Sequence, residues 1–135
     1  MQIARELIVS HRRSDAEAAR IMFLMGAASF DALIGCFEAK YHYWYIRPPQ
    51  ADAGIVTAFP TPPHPSYPSA HSCGSGAVSA VLAATFASEA RRLAAVAEES
   101  SLSRLYGGIH YRFDIEAGRD VGRAAAALAL RGTLR

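Results

Sequence analysis

The chain has 135 residues, 51% of them hydrophobic, with 14 Lys and Arg against 12 Asp and Glu for a net charge of +2. That composition supplies one core and excludes a disordered chain. The near-even charge balance gives neither a nucleic-acid-binding stripe nor a polybasic membrane patch. Two cysteines, Cys36 in an apolar stretch and Cys73, suggest no disulfide framework and no zinc knuckle. A cysteine-phosphatase loop would need arginine at position 79, which is Ser79.

The opening segment, MQIARELIVSHRRSD, is amphipathic and lacks the apolar core and cleavage site of a signal peptide. Ser14 and Glu17 then form the pattern of a capping box. The first long helix is predicted from about Asp15 to Ile46, stopped by Arg47-Pro48, because a residue before proline avoids the helical region. Its apolar run, Ile21 to Phe37, is interrupted by Asp31 and is short for a membrane span, which points to a buried helix. All seven prolines lie between Pro48 and Pro68, so that stretch is a loop. A structureless loop of about twenty residues in a small domain is a functional segment or a linker; here it joins two candidate site segments.

A second helix is predicted from near Ser69 through AVSAVLAATFASEARRLAAVA, with room for a break. Its Glu89, Arg91 and Arg92 disfavour a span. A third, short helix leads into Ser103-Arg104-Leu105-Tyr106 and ends at Gly107-Gly108. The last begins at Asp114, read as an N-cap, and stops at Arg131-Gly132. No strand alternation, repeat or low-complexity tail is present. The expected class is all-α: an antiparallel bundle of about five helices with a long Pro-rich loop, forming a single domain over 1–135.

Three segments carry candidate chemistry. Lys40 is the only lysine in a chain that otherwise uses arginine. If the helix continues, Lys40 and Arg47 stand nearly two turns apart on one face. Two cations on one face repel unless an anion lies between them. The bland alternative is a pair of solvated cations at a helix end; Tyr41, Tyr43, Trp44 and Tyr45 argue for a mostly buried surround instead. In the second segment, Pro65-Ser66-Tyr67-Pro68-Ser69-Ala70-His71-Ser72, a proline-set turn delivers Ser69 to a helix start. Free N–H groups there suit an anion, Ser69 adds a hydroxyl, and His71 can move a proton near neutral pH. Alone, this reads equally as an ordinary serine cap. The third segment, Ser103-Arg104 to His110 and Asp114, places a carboxylate four residues from an imidazole it can orient. A capping Asp beside a surface His is the plain alternative. Together the segments suit a tetrahedral or trigonal-bipyramidal oxyanion.

These segments, in this order and spacing, resemble the vanadium haloperoxidase and type 2 phosphatidic acid phosphatase superfamily. Its pattern is Lys, six residues, Arg-Pro; then Pro-Ser-Gly-His; then Ser-Arg, five residues, His, three residues, Asp. The chain has Lys40 and Arg47-Pro48, then Pro68-Ser69-Ala70-His71, then Ser103-Arg104, His110 and Asp114; only Ala70 departs. If position 70 needs positive φ, alanine costs about 1 kcal/mol there.

The resemblance implies roles. His110 is the axial ligand of vanadium in a haloperoxidase, or the nucleophile of a phosphatase. His71 is the general acid–base, and Asp114 supports His110. Lys40, Arg47, Ser69, the Ala70 N–H and Arg104 hold equatorial oxygens, and Lys40 polarises bound peroxide. His64 is a halide-site candidate or a solvated loop histidine. The soluble bacterial branch is favoured because FPTPPHPSYPSAHS resembles it. The expected activity is therefore vanadate-dependent haloperoxidation of halide with peroxide. A soluble acid phosphatase acting on phosphate esters without metal, through a phosphohistidine, is the alternative, and a non-catalytic or truncated remnant the second. Soluble members of the family are usually longer, with helices before the first motif. The chain is thus expected to be a C-terminal portion of such a protein or a homo-oligomer that covers its core. No nucleic-acid partner and no membrane span are expected.

Overall fold

The computed structural model describes residues 2–132, so the outermost ends of the expected 1–135 domain lie outside the described residues. Among those residues there are helices and no strands. They are α1 (Gln2–Ser10), α2 (Asp15–Tyr43), α3 (Pro48–Ala51), α4 (Ala70–Thr85), a 3-10 turn (Ala87–Glu89), α5 (Ala90–Tyr106) and α6 (Arg112–Gly132). Five are nine residues or longer, and α3 is a single turn. The all-helical bundle with a long proline-rich loop agrees with the sequence reading.

The start of α2 follows its capping box. Ser14 Oγ accepts the Glu17 N–H at 3.4 Å, and Glu17 accepts the Ser14 N–H at 2.9 Å. Its end does not follow the prediction. The helix stops at Tyr43, three residues short of Ile46, because Trp44 takes a left-handed conformation with φ 48° and ψ 39°. A bulky residue there costs about 1 kcal/mol, since Cβ crowds the carbonyl. The turn frees the Tyr45 carbonyl to accept the Ser66 N–H at 2.8 Å, which ties the proline-rich loop to the helix end. Arg47 is extended, as its following proline demands, but sits beyond α2 instead of on its face.

The long second helix is also divided. It breaks at Phe86, and its latter part continues without interruption into the predicted third helix as α5. Phe86 is buried in the core and meets the His11 ring at a 50° tilt, so a side chain that must turn inward sets the break. Asp114 is not a cap: α6 begins at Arg112 and Asp114 is its third residue. Its carboxylate accepts the Tyr111 N–H at 3.1 Å, holding the helix start from inside.

Helix α4 is central, packed on α2, α5 and α6. Its core face, Cys73, Ala77, Val81 and Leu82, meets Ala28, Ala32 and Cys36 of α2. The other face of α2 keeps Phe23, Phe30 and Ile34 exposed, and α2 is long and apolar enough to cross a membrane by length and composition alone.

The closest helix crossing is made by glycines. A Cβ at Gly118 of α6 would stand 2.6 Å from Ser69 O and 2.8 Å from Ser72 Cβ; one at Gly122 would collide with Cys73 O and Ala77 N. This seam seats the start of α6 against the start of α4. Gly122→Ala must push α6 off α4, with little room to relax. It is expected to lower stability by about 3 kcal/mol in urea unfolding, whereas Gly26→Ala, in open space, is expected to be neutral or stabilising.

Candidate oxyanion site

The proline-rich loop folds back over the end of α2, and two buried cations hold it there. Lys40 and Arg47 are 0% and 1% exposed. Lys40 Nζ donates to Pro65 O and Ser66 O, both at 2.8 Å. Arg47 donates Nε–H to His64 O (3.0 Å), Nη1–H to Ile109 O (2.8 Å) and Nη2–H to Pro65 O (3.3 Å). Its two remaining donors face ring nitrogens: Nη2 lies 3.2 Å from His64 Nδ1, and Nη1 lies 3.3 Å from His110 Nε2. The two cations therefore converge through the loop, not along a helix face. The aromatics expected to bury them do not: Tyr41, Tyr43, Trp44 and Tyr45 are all exposed. Burial comes from the 64–66 backbone and the α5–α6 turn.

The protonation of His110 follows from its neighbours. An arginine only donates, so Nε2 accepts from Arg47 and presents its lone pair on that side. Nδ1 then carries the proton and donates to Asp114 Oδ2 at 2.8 Å. Ser66 Oγ donates to the same carboxylate oxygen at 2.5 Å. His110 and Asp114 are both buried, and Asp114 Oδ1 has no hydrogen-bond partner among the described residues. Ser66 is a residue that the sequence reading gave no role. Only its place between Pro65 and Tyr67 in the second segment could have drawn attention to it.

The start of α4 supplies the next donors. Ser69 is fully buried and caps the helix, accepting the Ser72 N–H at 3.4 Å, and its own N–H donates to Asp114 O at 2.9 Å. Ala70 is the first residue of the helix, and the left-handed non-glycine positions among the described residues are Arg12 and Trp44. Position 70 thus needs no glycine, and the conditional cost of alanine does not arise.

His71 and Arg104 stand apart from this network. His71 is exposed, and no hydrogen bond ties it to His110 or Asp114 among the described residues. The Arg104 guanidinium lies 4.9 Å from the centre of the Phe59 ring, with Nε donating to Ser103 Oγ at 3.0 Å. A Cβ on Gly107 would collide with that same ring at 2.8 Å, and Gly108 takes φ 74°. The glycine turn thus lets the loop close against the third segment. His64 is half-buried, edge-on to Phe37, and bonded to Arg47, so it is no solvated loop residue.

Burial governs the electrostatics. Desolvation brings the Lys40 ammonium down to about 8, with Arg47 adding repulsion and Asp114 opposing. His110 is lowered by burial first, against the Asp114 hydrogen bond that raises it. His71 is lowered by burial and then by Arg104, and His64 by burial, with Lys40 and Arg47 adding to the effect. Two buried cations face one buried carboxylate, and such an excess is relieved by an anion. Groups of His, Cys, Asp and Glu that could hold a bare metal cation are absent among the described residues.

The sequence pattern of the PAP2 superfamily matches residues 18–135. Among solved structures, the chain is similar to one described as the first bacterial vanadium-dependent iodoperoxidase. The TM-score is 0.86 at 30% identity, over 96% of this chain and 37% of that one. It is also similar to a transmembrane PAP2-type phosphatidylglycerolphosphate phosphatase from Bacillus subtilis. There the TM-score is 0.62 at 17% identity, over 90% of this chain and 61% of that one, a likeness of fold alone. The chain spans less than two thirds of either protein. No curated protein matches it.

His110 and the half-buried His64 set the acid limb of stability, with little added by the exposed His71. Each has a folded value below the ordinary 6.5, so below pH 6.5 the unfolded chain binds more protons than the folded one. Stability therefore rises with pH in that window and falls on acidification. Calorimetric melts are expected to drop between pH 6.5 and 5, before the carboxylates titrate. A flat profile there would mean that the rings are solvated.

Proposed function

The chain belongs to the PAP2 superfamily, and we propose that it binds a tetrahedral oxyanion against His110 and acts as a vanadate-dependent haloperoxidase. The observation that carries this reading is the buried His110. Its Nδ1–H is directed to Asp114, and its Nε2 lone pair faces the Arg47 guanidinium. A neutral, oriented imidazole beside two buried cations suits bonding to the central atom of a bound oxyanion.

The donor set fits vanadate. His110 Nε2 would be its ligand, and Arg47 Nη1 would exchange that nitrogen for an oxygen of the bound group. Lys40 directs two of its three N–H bonds to carbonyls, which leaves a donor for a second oxygen. The Ser69 hydroxyl and the Ala70 N–H at the start of α4 would serve another. Bound vanadate would supply a Lewis-acidic centre that activates hydrogen peroxide toward a halide. His71, exposed and neutral at pH 7, would carry protons between the site and solvent, and Arg104 would add positive charge at that edge. The greater likeness to the vanadium iodoperoxidase supports this branch and makes iodide as well as bromide a candidate halide, with His64 retained as the halide-site candidate.

A second reading uses the same atoms without metal. His110 Nε2 would attack a phosphate ester, Asp114 would stabilise the imidazolium, and His71 would protonate the departing alcohol. Water would then hydrolyse the phosphohistidine. The fold likeness to a PAP2 phosphatase keeps this reading.

Protein loaded with orthovanadate is expected to oxidise bromide and iodide with peroxide, scored by halogenation of a phenol dye. His110→Ala is expected to fall to the level of free vanadate. Hydrolysis of p-nitrophenyl phosphate inhibited by vanadate, with no halide oxidation, would move the protein to the second reading. If folded protein does neither, the remnant reading stands.

Lys40 sets a pH dependence for binding. Below about 8 its ammonium is already formed, so anion affinity gains nothing on further acidification. Above that value binding must take up a proton. Affinity for inorganic phosphate is expected to fall by up to about tenfold per pH unit relative to Lys40→Met, in which the ligand's own ionisation cancels. Equal slopes in calorimetric titrations of the two proteins would count against a cationic Lys40 at the anion.

A further inference from the structure

A recess outside the oxyanion network is lined in part by Arg47 and His64. It encloses about 510 Å³, within the range of small-molecule sites. Tyr41, Trp44, Tyr45, Pro62 and Pro63 line it, and Arg47 and His64 are among its polar lining. The lining contains no carboxylate. Nothing in the oxyanion chemistry above uses these aromatic rings.

Trp44 is the informative residue. It holds a left-handed backbone that helix ends ordinarily give to glycine. Burial does not compensate for it, because the residue is 68% exposed and meets Tyr41 edge to face at 5.6 Å. The turn itself serves the Tyr45–Ser66 hydrogen bond, but that bond does not call for tryptophan in place of glycine; a rigid, exposed ring at a cavity rim suits a ligand contact. The polar end has a defined donor. His64 Nδ1 lies 3.2 Å from Arg47 Nη2 and 3.3 Å from Pro65 O; with Nδ1 accepting from the guanidinium, the neutral ring carries its proton on Nε2, and that N–H is what His64 offers a ligand.

We propose that this cleft binds a planar aromatic molecule carrying an oxyanion substituent, an aryl carboxylate or phenolate, with the ring against Trp44 and the oxygen accepting from His64 beside Arg47. Arg47 bonds to His64 on one side and to His110 on the other, so the cleft and the oxyanion site share one guanidinium. The inference holds whichever reaction His110 performs: the cleft borders that site through Arg47 and His64, but its ring contact, Trp44, takes no part in the reaction.

Trp44 is the only tryptophan in the chain, which makes its emission a direct reporter. The protein is titrated with 2-naphthoate in a calorimeter, with Trp44 emission read in parallel. The expected result is one saturable site with changed Trp44 emission. Cyclohexanecarboxylate and 2-naphthalenemethanol, which lack the ring and the charge respectively, are each expected to bind at least tenfold more weakly. Trp44→Gly should weaken 2-naphthoate at least tenfold while keeping or raising the melting temperature, because glycine relieves the left-handed turn. Saturating inorganic phosphate should leave the affinity within twofold. Three results would overturn the proposal: equal binding of the aromatic and the cyclohexyl acid, unchanged affinity in folded Trp44→Gly, or displacement by phosphate. Displacement would put the carboxylate in the oxyanion site instead.

Discussion

Arg47 donates all five of its N–H bonds to the protein while almost completely buried, and the site is organised around that fact. A guanidinium is a rigid planar fork, so its acceptors must come to it. Three are loop and turn carbonyls, which fixes the path of residues 64–65 and Ile109. Two are ring nitrogens, which forces His64 and His110 to accept on the sides facing it. From there the proton on His110 Nδ1 and its bond to Asp114 follow without further choice. A lysine could not set two histidines and three carbonyls at once.

The cost of this arrangement is charge. Lys40 and Arg47 are buried with Asp114 as the nearby buried carboxylate, and desolvation shows in the lowered Lys40. Native structures tolerate an unbalanced buried charge where something binds to it. The same excess that weakens the protein alone would give the proposed oxyanion its affinity. The superfamily match and the likeness to a vanadium enzyme agree with that chemistry.

Precision comes from packing as much as from charge. Gly118 and Gly122 bring α6 into near-contact with the first turns of α4, and Ser69 N–H then reaches Asp114 O. This joins the helix start that presents Ser69 and Ala70 to the helix start that presents Asp114. On the other side, Phe59 lies between Gly107 and Arg104 and keeps the loop closed over the site. His71 and Arg104 remain at the more open edge, where a proton can exchange with water.

The sequence by itself determined the helical class, the capping box at Ser14 and the proline-rich loop, except for the helical turn at Pro48–Ala51 that opens it, and it picked out the three segments of the candidate site. Those are local properties: proline geometry, capping chemistry and the spacing of charged residues. It misjudged the end of α2, the shelter of the cations and the place of Asp114, and it gave Ser66 and the α6 glycines no role. Each of these depends on a partner far along the chain. Trp44 turns where Tyr45 O meets Ser66, Lys40 is buried by carbonyls 25 and 26 residues away, and Gly122 matters only because Cys73 and Ala77 lie against it. Spacing brought Lys40 and Arg47 to notice, but on a helix face they do not share. Only tertiary structure decided how they meet, because a buried cation goes where its hydrogen bonds can be completed, and those acceptors come from other segments of the chain.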